Sequence, residues 1–419
     1  MPRLTQLFAS SGLIARLRPA AGRALPAELE PARVMQTAEQ FAGGVRDPQF
    51  EEVIRRIDTG PLHRGNQVTV FFDGEEAFDA IREAIEAATS EVLFETYIFK
   101  DDETGQGARQ LLARAARRGV RVRVLADGWG SFTTRKGFWD RMQREGIEGR
   151  LFHPLWSHWR HRKYRDHRKI VVVDRRVAFT GGMNVANEYG SALHSSGQVW
   201  RDTHVRIEGQ TAWEMALVFA EAWLTAGGAP FDITALEPSD QHGVKVLILD
   251  TRAGRGHHEM SSVLAAIFGA ARRRVWITNA YFAPGHRTVE FLGRVADRGV
   301  DVRLLLPGLS DVPIVKHAAH GYYADLLSRG VRIFEYQRAV LHAKTLLADD
   351  YVSVIGSSNL DFRSFRYNAE CNALALDEAT GRIMAETFEE DLRQSMEIKL
   401  DAWRQRGALH RCGDGLARR

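Results

Sequence analysis

Two stretches of the chain repeat one order of apolar and polar positions. Residues 91–99 and 274–282 are nearly continuous apolar runs of strand length. Each precedes a helical pattern that ends in Arg-Gly-Val, at 111–120 and at 289–300. Further apolar runs follow at 121–126 and 301–306. Strand, helix and strand with crossovers of this length predict βαβ units, whose strands pair in parallel.

The sequence H-x-K-x4-D occurs twice, each time beside a further apolar run. The two copies are His167, Lys169 and Asp174, and His342, Lys344 and Asp349. Alternate residues of a strand point to the same face, so the histidine and lysine are expected side by side, with the aspartate at the strand end. After six more residues comes a glycine-rich turn that ends in Asn184 or Asn359 and is expected to open a helix. Two copies with this common tail imply two halves of one local structure.

These patterns predict an α/β fold made of two similar domains. Each domain is expected to be a mostly parallel β-sheet flanked by helices, with a pseudo-twofold axis between the domains. The predicted boundaries are 66–236 and 243–400, separated by a polar linker that contains Pro and Gly. Residues 1–65 are interpreted as an N-terminal extension and 401–419 as a basic tail.

The paired residues suit chemistry at a phosphodiester. One histidine can attack phosphorus while the other protonates the leaving oxygen. The two lysines and two asparagines can hold the phosphate oxygens and offset the developing charge. Side chains then supply the positive charge, so neither a metal nor another cofactor is expected. The two histidines must face one phosphate, which predicts a single site between the halves.

Several short segments resemble the phospholipase D superfamily and, within it, the bacterial cardiolipin synthases. They are Arg165–Ile170, Phe179–Asn184, Trp200–His204, Tyr281–Pro284, Leu341–Lys344 and Gly356–Ser364, within a resemblance that runs from about Val68 to about Leu400. The longer synthases open with membrane-spanning helices, and no such helix is visible here, so the chain resembles a short form. The resemblance implies the catalytic set His167, Lys169, Asp174, His342, Lys344 and Asp349, with Asn184, Asn359, Gly182 and Ser357 at the substrate.

Each histidine also needs a carboxylate to hold its other ring nitrogen. Asp174 and Asp349 lie beyond a buried strand from their histidines, so we expect them to brace the fold. Asp202 and Glu370 lie roughly thirty residues past their own histidines, within apolar surroundings, as orienting carboxylates do in related enzymes. We therefore predict that each holds the histidine of its own half.

The resemblance implies a phosphatidyltransferase that converts phosphatidylglycerol to cardiolipin plus glycerol through a phosphohistidine. His167 is predicted as the nucleophile and His342 as the acid and then the base. Hydrolysis as a phospholipase D, a nuclease or DNA phosphodiesterase of the same superfamily, and a non-catalytic phospholipid-binding protein are the alternatives. Two intact motifs disfavour the last of these, and no additional nucleic-acid module is visible.

Composition narrows the setting. The 419 residues carry a net charge of +4 and 44% hydrophobic residues, which are globular values, and the two cysteines lack metal-site or disulfide spacing. The basic segment 158–169 suits anionic head groups and equally a nucleic-acid backbone. A loose apolar helical face over residues 4–17 suits an anionic bilayer.

We expect anionic phospholipids and an alcohol as partners, no nucleic acid, and a peripheral position on the cytoplasmic face of the bacterial inner membrane. The oligomeric state stays open. Two histidine clusters, His257–Glu259 and His317 with His320, are interpreted as packed or solvent-facing residues and not as metal sites.

Overall fold

A computed structural model describes residues 26–57, 60–154, 163–190, 199–233, 242–252 and 258–406. The apolar face at residues 4–17, residues 158–162 of the basic segment, most of the linker, and His257 lie outside the described residues. Both H-x-K motifs and most of the two predicted domains lie within them.

Strands follow one order in both halves of the chain. The first half contains β1 (His63–Phe71), β2 (Glu91–Thr96), β3 (Arg121–Asp127), β4 (Glu148–Phe152), β5 (Arg165–Asp166), β6 (Ile170–Val173), β7 (Val177–Gly181) and β8 (His204–Glu208). The second half contains β9 (Val244–Asp250), β10 (Arg274–Asn279), β11 (Asp301–Leu309), β12 (Arg332–Val340), β13 (Lys344–Ala348), β14 (Val352–Gly356), β15 (Asn368–Ala369), β16 (Cys371–Leu376) and β17 (Ser395–Ile398).

One continuous sheet crosses the described part of the molecule. Its order is β17-β12-β11-β10-β13-β14-β16-β9-β1-β8-β7-β6-β2-β3-β4. From the antiparallel β1–β9 pair at the centre, the same succession of strands runs outward in both directions. The predicted α/β fold with two similar halves about a pseudo-twofold axis is therefore confirmed.

The sheet is mixed, and the two kinds of pairing have separate origins. The predicted βαβ units supply the parallel pairs β2–β3 and β10–β11. Strands β4 and β12, which the sequence patterns did not predict, extend them with the parallel pairs β3–β4 and β11–β12. The strands that follow each H-x-K motif form antiparallel hairpins, β6–β7 and β13–β14, which join those parallel strands to the centre. Parallel pairing is thus confined to the outer part of each half.

Helices cover both faces of the sheet. In chain order they are α1 (Pro31–Ala38), α2 (Pro48–Ile57), α3 (Gly74–Ala87), α4 (Glu103–Arg117), α5 (Lys136–Arg144), α6 (Gln210–Thr225), α7 (His258–Ala270), α8 (Gly285–Asp297), α9 (Pro313–Ser328), α10 (Phe362–Arg366), α11 (Glu378–Arg393) and α12 (Leu400–Arg404), with short 3-10 helices at Ala27–Leu29, Gly44–Arg46 and Asn187–Tyr189. The Arg-Gly-Val signals correspond to the ends of α4 and α8. Gly119 and Gly299 adopt φ of 91° and 82° there, a conformation that glycine adopts without steric cost.

The segment before the first strand belongs to the packed structure of the second half. Val34, Met35 and Ala38 of α1 and Ile54 of α2 are buried in one core with α7. Glu39 also accepts hydrogen bonds from arginines of α8 and its C-cap. Residues 26–57 therefore cover α7 and α8 of the second half. The helices at the equivalent positions in the first half, α3 and α4, line an apolar cavity of about 480 Å³.

Helix α6 is the most apolar segment of the first half. Met215, Phe219 and Trp223 pack in a core shared with Met384 and Phe388 of α11, so the helix contributes to the joint between the halves. Within the described ranges, no helix combines the length and the apolar character that a bilayer crossing requires.

Candidate active site

Each histidine of the two motifs is held by backbone from the other half. Strand β5, directly before His167, pairs in parallel with β15, and His167 N donates to Ala369 O at 2.9 Å. The symmetric contact places Leu341 beside Arg201, where His342 N donates to Arg201 O at 2.7 Å. Both motifs therefore lie at the boundary between the halves.

The orienting carboxylates are paired across this boundary. His167 Nδ1 lies 2.9 Å from Glu370 Oε2, and His342 Nδ1 lies 2.7 Å from Asp202 Oδ2. The prediction that Asp202 and Glu370 hold histidines was right in its residues, but the pairing within each half was wrong. Distance along the chain suggested the nearer histidine, whereas the exchanged backbone pairs bring the other one into reach. With Nδ1 occupied, Nε2 is the ring nitrogen available for chemistry.

Glu370 is fixed by a dense set of donors. Ser357 Oγ donates to Oε2 at 2.6 Å, while Ser364 Oγ and Asn368 Nδ2 donate to Oε1 at 2.7 and 3.2 Å. Burial opposes ionisation, but the charge and hydrogen bond of His167 outweigh it and lower the pKa of Glu370 to about 2. The carboxylate thus stays ionised behind the imidazole.

Asp202 has a sparser setting. It accepts a bond from Thr203 N at 2.7 Å besides its contact with His342. A Cβ atom on Gly182 would lie 2.1 Å from Asp202 Oδ1, so only glycine leaves room for this carboxylate. Burial opposes the ionised form, but Lys344 and His342 lower the pKa of Asp202 below its usual range. Both carboxylates therefore remain charged at neutral pH.

The two H-x-K motifs act on each other electrostatically, as members of one site do. Burial, reinforced by the charge of Lys344, lowers the pKa of Lys169 to about 7. Burial and the nearby Lys344 lower the pKa of His342 to about 4, and Lys169 of the other half contributes. Burial likewise lowers the pKa of His167, with Lys344 adding to the effect. Burial also lowers the pKa of Lys344 to about 8. A buried anion would relieve this crowding of cationic groups.

The lysines lie against their own motifs. Lys169 Nζ donates to His167 O at 2.6 Å, and Lys344 Nζ bonds to His342 O. Lys344 Nζ also lies 2.8 Å from His342 Nδ1. A protonated Nδ1 that donates to Asp202 cannot accept from this ammonium, so we interpret the contact as electrostatic. It is consistent with the low pKa of His342.

The motif aspartates lie away from this site, at the far ends of β6 and β13. Asp174 accepts five hydrogen bonds from the backbone and hydroxyl groups of residues 89–91. Asp349 accepts three, from the backbone N–H groups of residues 272–274. This position does not favour a catalytic role for the two aspartates, which stays a prediction, and their hydrogen bonds are those expected of residues that brace the fold.

The two asparagines differ in availability. Asn184 Oδ1 accepts from Ile98 N at 3.2 Å and its Nδ2 donates to the Tyr189 hydroxyl at 2.9 Å. Asn359 Oδ1, in contrast, is buried and has no hydrogen-bond partner among the described residues. The helices expected after the asparagines are only the 3-10 turn at Asn187–Tyr189 and the five-residue α10. Contact of both asparagines with phosphate stays a prediction.

Gly182 and Ser357 occupy equivalent turn positions and support the carboxylates. Gly182 N donates to Thr203 O at 3.0 Å, next to Asp202, and Ser357 N donates to Cys371 O at 3.1 Å, next to Glu370. Their predicted contact with substrate remains a prediction.

Aromatic side chains complete the site, and the sequence patterns did not single them out. Tyr97 lies edge-on to His167, with ring centroids 4.9 Å apart. His342 is surrounded by Tyr189, Trp200 and Tyr281, at 5.3, 5.4 and 5.8 Å. A tyrosine one or two residues after a buried strand in each half was the available signal for Tyr97 and Tyr281, and Trp200 lies two residues before Asp202.

His320 is partly buried in the second half, away from these contacts. Its Nε2 lies 2.9 Å from Glu335 Oε1, and its ring packs on Trp403 at 5.0 Å. The structural interpretation of His320 is therefore confirmed.

Comparison with known proteins agrees with this geometry. A family model described as "Cardiolipin synthase, PLD-like domain" matches residues 81–212 and 264–392, one match in each half. A "Cardiolipin synthase 1" of Bacillus anthracis is 35% identical over 386 residues, which are 89% of this chain and 75% of the relative. A "Cardiolipin synthase" of Halalkalibacterium halodurans is 33% identical over 393 residues, 90% of this chain and 76% of the relative.

Solved structures share the fold at low identity. Phosphatidylserine synthase from Haemophilus influenzae Rd KW20 aligns with a TM-score of 0.68 and 15% identity, over 92% of this chain and 96% of that one. Polyphosphate kinase from Porphyromonas gingivalis aligns with a TM-score of 0.55 and 15% identity, over 83% of this chain and 50% of that one. These likenesses support the architecture alone.

Proposed function

The chain belongs to the family of cardiolipin synthases with phospholipase D-like domains, and we propose that it transfers a phosphatidyl group from phosphatidylglycerol to a second phosphatidylglycerol. The observation that carries the proposal is the exchanged pairing, Glu370 with His167 and Asp202 with His342, beside two buried lysines. It provides two imidazoles with free Nε2 atoms and a cationic environment, which is what a phosphodiester transfer requires.

The lysines favour an anionic ligand. Lys169 and Lys344 are 2% and 3% exposed, and their pKa values are lowered to about 7 and about 8. A phosphodiester placed between the two lysines would stabilise their charged forms and offset part of the free energy that burial costs those forms. Substrate binding is therefore coupled to proton uptake near neutral pH.

In the first step His167 acts as the nucleophile. Its Nε2 lone pair attacks phosphorus, and the P–O bond to the glycerol head group breaks as the P–N bond forms. His342, protonated on Nε2 in the complex with the anionic substrate, transfers that proton to the leaving oxygen. Glycerol departs, and a phosphatidyl-histidine remains. Glu370, which also accepts from two serine hydroxyl groups, fixes the attacking imidazole and stabilises its positive charge.

In the second step the roles of acid and base reverse. Neutral His342 removes the proton from a hydroxyl group of the second phosphatidylglycerol. The resulting oxygen attacks phosphorus, and the P–N bond breaks and regenerates neutral His167. The product is cardiolipin, and the protons balance over the two steps. Water in place of the second alcohol would give phosphatidic acid instead.

Positive charge at the phosphate comes from side chains in this mechanism. Lys169, Lys344 and the protonated imidazole offset the charge of the equatorial oxygens, so the transfer proceeds without a divalent ion. We expect turnover to survive exhaustive chelation. Loss of activity with recovery on adding one divalent ion would contradict this part of the proposal.

Substrates of this kind place the protein at a membrane surface. We propose peripheral attachment to the cytoplasmic face of the bacterial inner membrane, since cationic and apolar groups border the site.

Lipid mass spectrometry of a synthase-null bacterium that expresses this chain tests the function. The expected result is cardiolipin with the wild-type chain and none with His167→Ala. In vitro, purified protein with phosphatidylglycerol should release one glycerol for each cardiolipin formed. Accumulation of phosphatidic acid alone would identify a hydrolase, and absence of any lipid product would refute the proposal.

A further inference from the structure

We propose that a ring of exposed apolar side chains around the active site docks the protein on an anionic phospholipid bilayer. This apolar rim consists of Trp129, Phe132, Ile314 and Phe362, whose exposed fractions are 53%, 62%, 68% and 54%. The inference rests on the proposed function and adds the surface through which the site faces its lipid.

The rim accounts for most of the exposed large apolar side chains in the described part of the chain. Seven such side chains are exposed there; Leu309 lies beside the rim, and only Ile383 and Met396 lie elsewhere. Single exposed apolar residues are common on soluble proteins and need no explanation. Their concentration on turns and helix starts that border one site indicates a surface that contacts an apolar phase.

Trp129 and Phe132 are fixed to the site through Asp127. The buried carboxylate of Asp127 accepts from Trp129 N at 2.8 Å and from Asp166 N, directly before His167, at 2.8 Å. Ser131 Oγ, in the same loop, donates to Tyr97 O at 3.2 Å. The loop is therefore held against the tyrosine that lies edge-on to His167.

Phe362 is fixed on the same side through Ser364. Asp361 caps α10 by accepting from Ser364 N at 2.7 Å, and Ser364 Oγ donates to Glu370 Oε1 at 2.7 Å. Since Glu370 holds His167, the first residue of α10 lies within one short chain of contacts from the reacting imidazole. Phe362 packs on Tyr367, with ring centroids 5.5 Å apart, and on Arg366, and over half of its surface remains open.

Ile314 borders the other histidine. Tyr281, which lies edge-on to His342, donates its hydroxyl to Asp311 Oδ2 at 2.7 Å, three residues before Ile314. Asp311 is also close enough to Lys344 to influence the pKa of that lysine. The rim thus has members beside both histidines, contributed by both halves.

Charge near the rim selects the kind of membrane. Lys163, Arg363 and Arg366 are exposed: Lys163 lies over the ring of Tyr367, and Arg366 lies over Phe362. Burial raises the pKa of Tyr97, and Arg363 is near enough to offset part of that rise. The acidic Asp311 also lies near the rim, and its carboxylate is bonded to Tyr281. Three exposed cations beside bulky apolar groups match an interface of anionic head groups over acyl chains.

Docking in this orientation would bring the site to the head groups. The imidazoles are recessed, with exposed fractions of 8% for His167 and 4% for His342, so a phosphodiester must enter from the surface. Inserted rim residues would hold the opening of the active site at the level of the lipid phosphates. A lipid head group would then move only a short distance to reach the imidazoles, and the lipid would not leave the bilayer.

The test compares two combined variants of the full chain. The rim variant carries Trp129→Ala, Phe132→Ala, Ile314→Ser and Phe362→Ser. The control variant carries Ile383→Ser and Met396→Ser, which remove exposed apolar groups at other places. Ile383 lies away from the active site. It is two residues after Gly381, which packs on Asp350 at the turn end of β13, whereas Lys344 lies at the opposite, active-site end of that strand. Thermal unfolding checks that both variants fold.

Flotation with vesicles of phosphatidylglycerol and phosphatidylcholine gives the readout, together with turnover of vesicular and of monomeric short-chain phosphatidylglycerol. The rim variant should bind these vesicles about 100-fold more weakly than wild type, since four apolar anchors are lost. Its ratio of vesicular to monomeric turnover should fall by a similar factor, and the control variant should match wild type. Wild type should bind pure phosphatidylcholine vesicles more weakly than anionic ones.

Equal vesicle binding by the rim variant and wild type would overturn the inference, as would an equal loss in the control. So would a wild-type protein that converts monomeric lipid but does not bind vesicles. Dissociation of a wild-type dimer in the rim variant, with vesicle binding unchanged, would show that the face binds a second copy. If vesicle binding depends on the rim but no lipid is turned over, the proposed function fails and the docking surface stands.

Discussion

The surroundings of the two histidines differ although the two halves repeat one backbone. Behind His167, Glu370 accepts bonds from two serine hydroxyls and an asparagine. Behind His342, Asp202 accepts from one backbone N–H, and aromatic rings surround the imidazole. A rigid, hydroxyl-supported imidazole suits attack on phosphorus. The imidazole of His342, whose lowered pKa an anionic substrate would raise towards neutrality, suits proton transfer to and from alcohols. The repeat thus supplies two similar scaffolds, and their side chains set different roles.

The difference extends to the turn after each motif. The longer carboxylate, Glu370, meets a hydroxyl from Ser357, and the shorter one, Asp202, meets the bare backbone of Gly182. Each turn is matched to the carboxylate of its own half, which serves the histidine of the other half. The halves therefore depend on each other for function, and neither contains a complete site.

Removing either histidine should have the largest effect. His167→Ala and His342→Ala should each reduce turnover of phosphatidylglycerol by about 10⁴-fold or more, because one loses the nucleophile and the other the acid and base. A phosphatidyl ester of p-nitrophenol separates the roles, since this leaving group departs without protonation. His342→Ala should release a burst of p-nitrophenol and accumulate phosphatidyl-histidine, while His167→Ala should release none. The reverse pattern would make His342 the nucleophile.

The exchanged carboxylates should follow the histidines that they hold. Glu370→Gln and Asp202→Asn should each lower kcat by about 10²–10⁴-fold. In the p-nitrophenol assay Glu370→Gln should lose the burst, as His167→Ala does, and Asp202→Asn should retain it. Retention of the burst by Glu370→Gln with its loss in Asp202→Asn would contradict the pairing across the halves.

Substitutions in the two turns separate the halves more finely. Gly182→Ala should lower kcat by about 100-fold, because the new methyl group would displace Asp202 from His342. Ser357→Gly should cost only about tenfold, since Glu370 keeps its bonds from Ser364 and Asn368. Steady-state kinetics with matched circular dichroism spectra would check both. Equal losses in the two variants would show that the turns are not specialised.

The motif aspartates should affect stability and leave the chemistry nearly unchanged. Asp174→Ala should lower the free energy of unfolding by about 2–4 kcal/mol, and Asp349→Ala by somewhat less, because five and three hydrogen bonds are lost. Turnover at a permissive temperature should stay within about threefold of wild type. Denaturant unfolding gives the stabilities, and a loss of kcat without a loss of stability would return these residues to the catalytic set.

Acid should remove the stability that Asp174 contributes. Burial opposes it, but hydrogen bonds from residues 89–91 lower the pKa of Asp174 from its usual 3.8 to about 2. A lowered carboxyl pKa contributes stability above the unfolded value, and this contribution is lost as the pH falls through about 2. Between pH 7 and pH 2 the stability gap between wild type and Asp174→Ala should therefore narrow.

Local pattern was enough for the repeated fold and for the residue types of the site. The strands before and after each motif, the glycine-terminated helices α4 and α8, and the positions of His167, Lys169, His342 and Lys344 can all be derived from periodicity and from two matching motifs. The short helices after Asn184 and Asn359 were overestimated, because a glycine-rich turn predicts a change of direction but not the length of the next element. The pairing of the central antiparallel strands could not be predicted either, since alternation of apolar and polar residues does not reveal which strand is the partner.

The order of residues along the chain thus predicts two motifs suited to a phosphate and singles out Asp202 and Glu370 as supports of the motif histidines. Folding in three dimensions sets which carboxylate serves which histidine, packs residues 26–57 on the second half, and gathers Trp129, Phe132, Ile314 and Phe362 around one opening. The physical reason is the pseudo-twofold joint. The backbone pairs between β5 and β15, and between Arg201 and Leu341, bring each histidine to the carboxylate of the other half. That carboxylate lies about thirty residues from the motif of its own half and far more from the histidine that it holds. Spacing along the chain cannot show an exchange that is made by contacts across an axis.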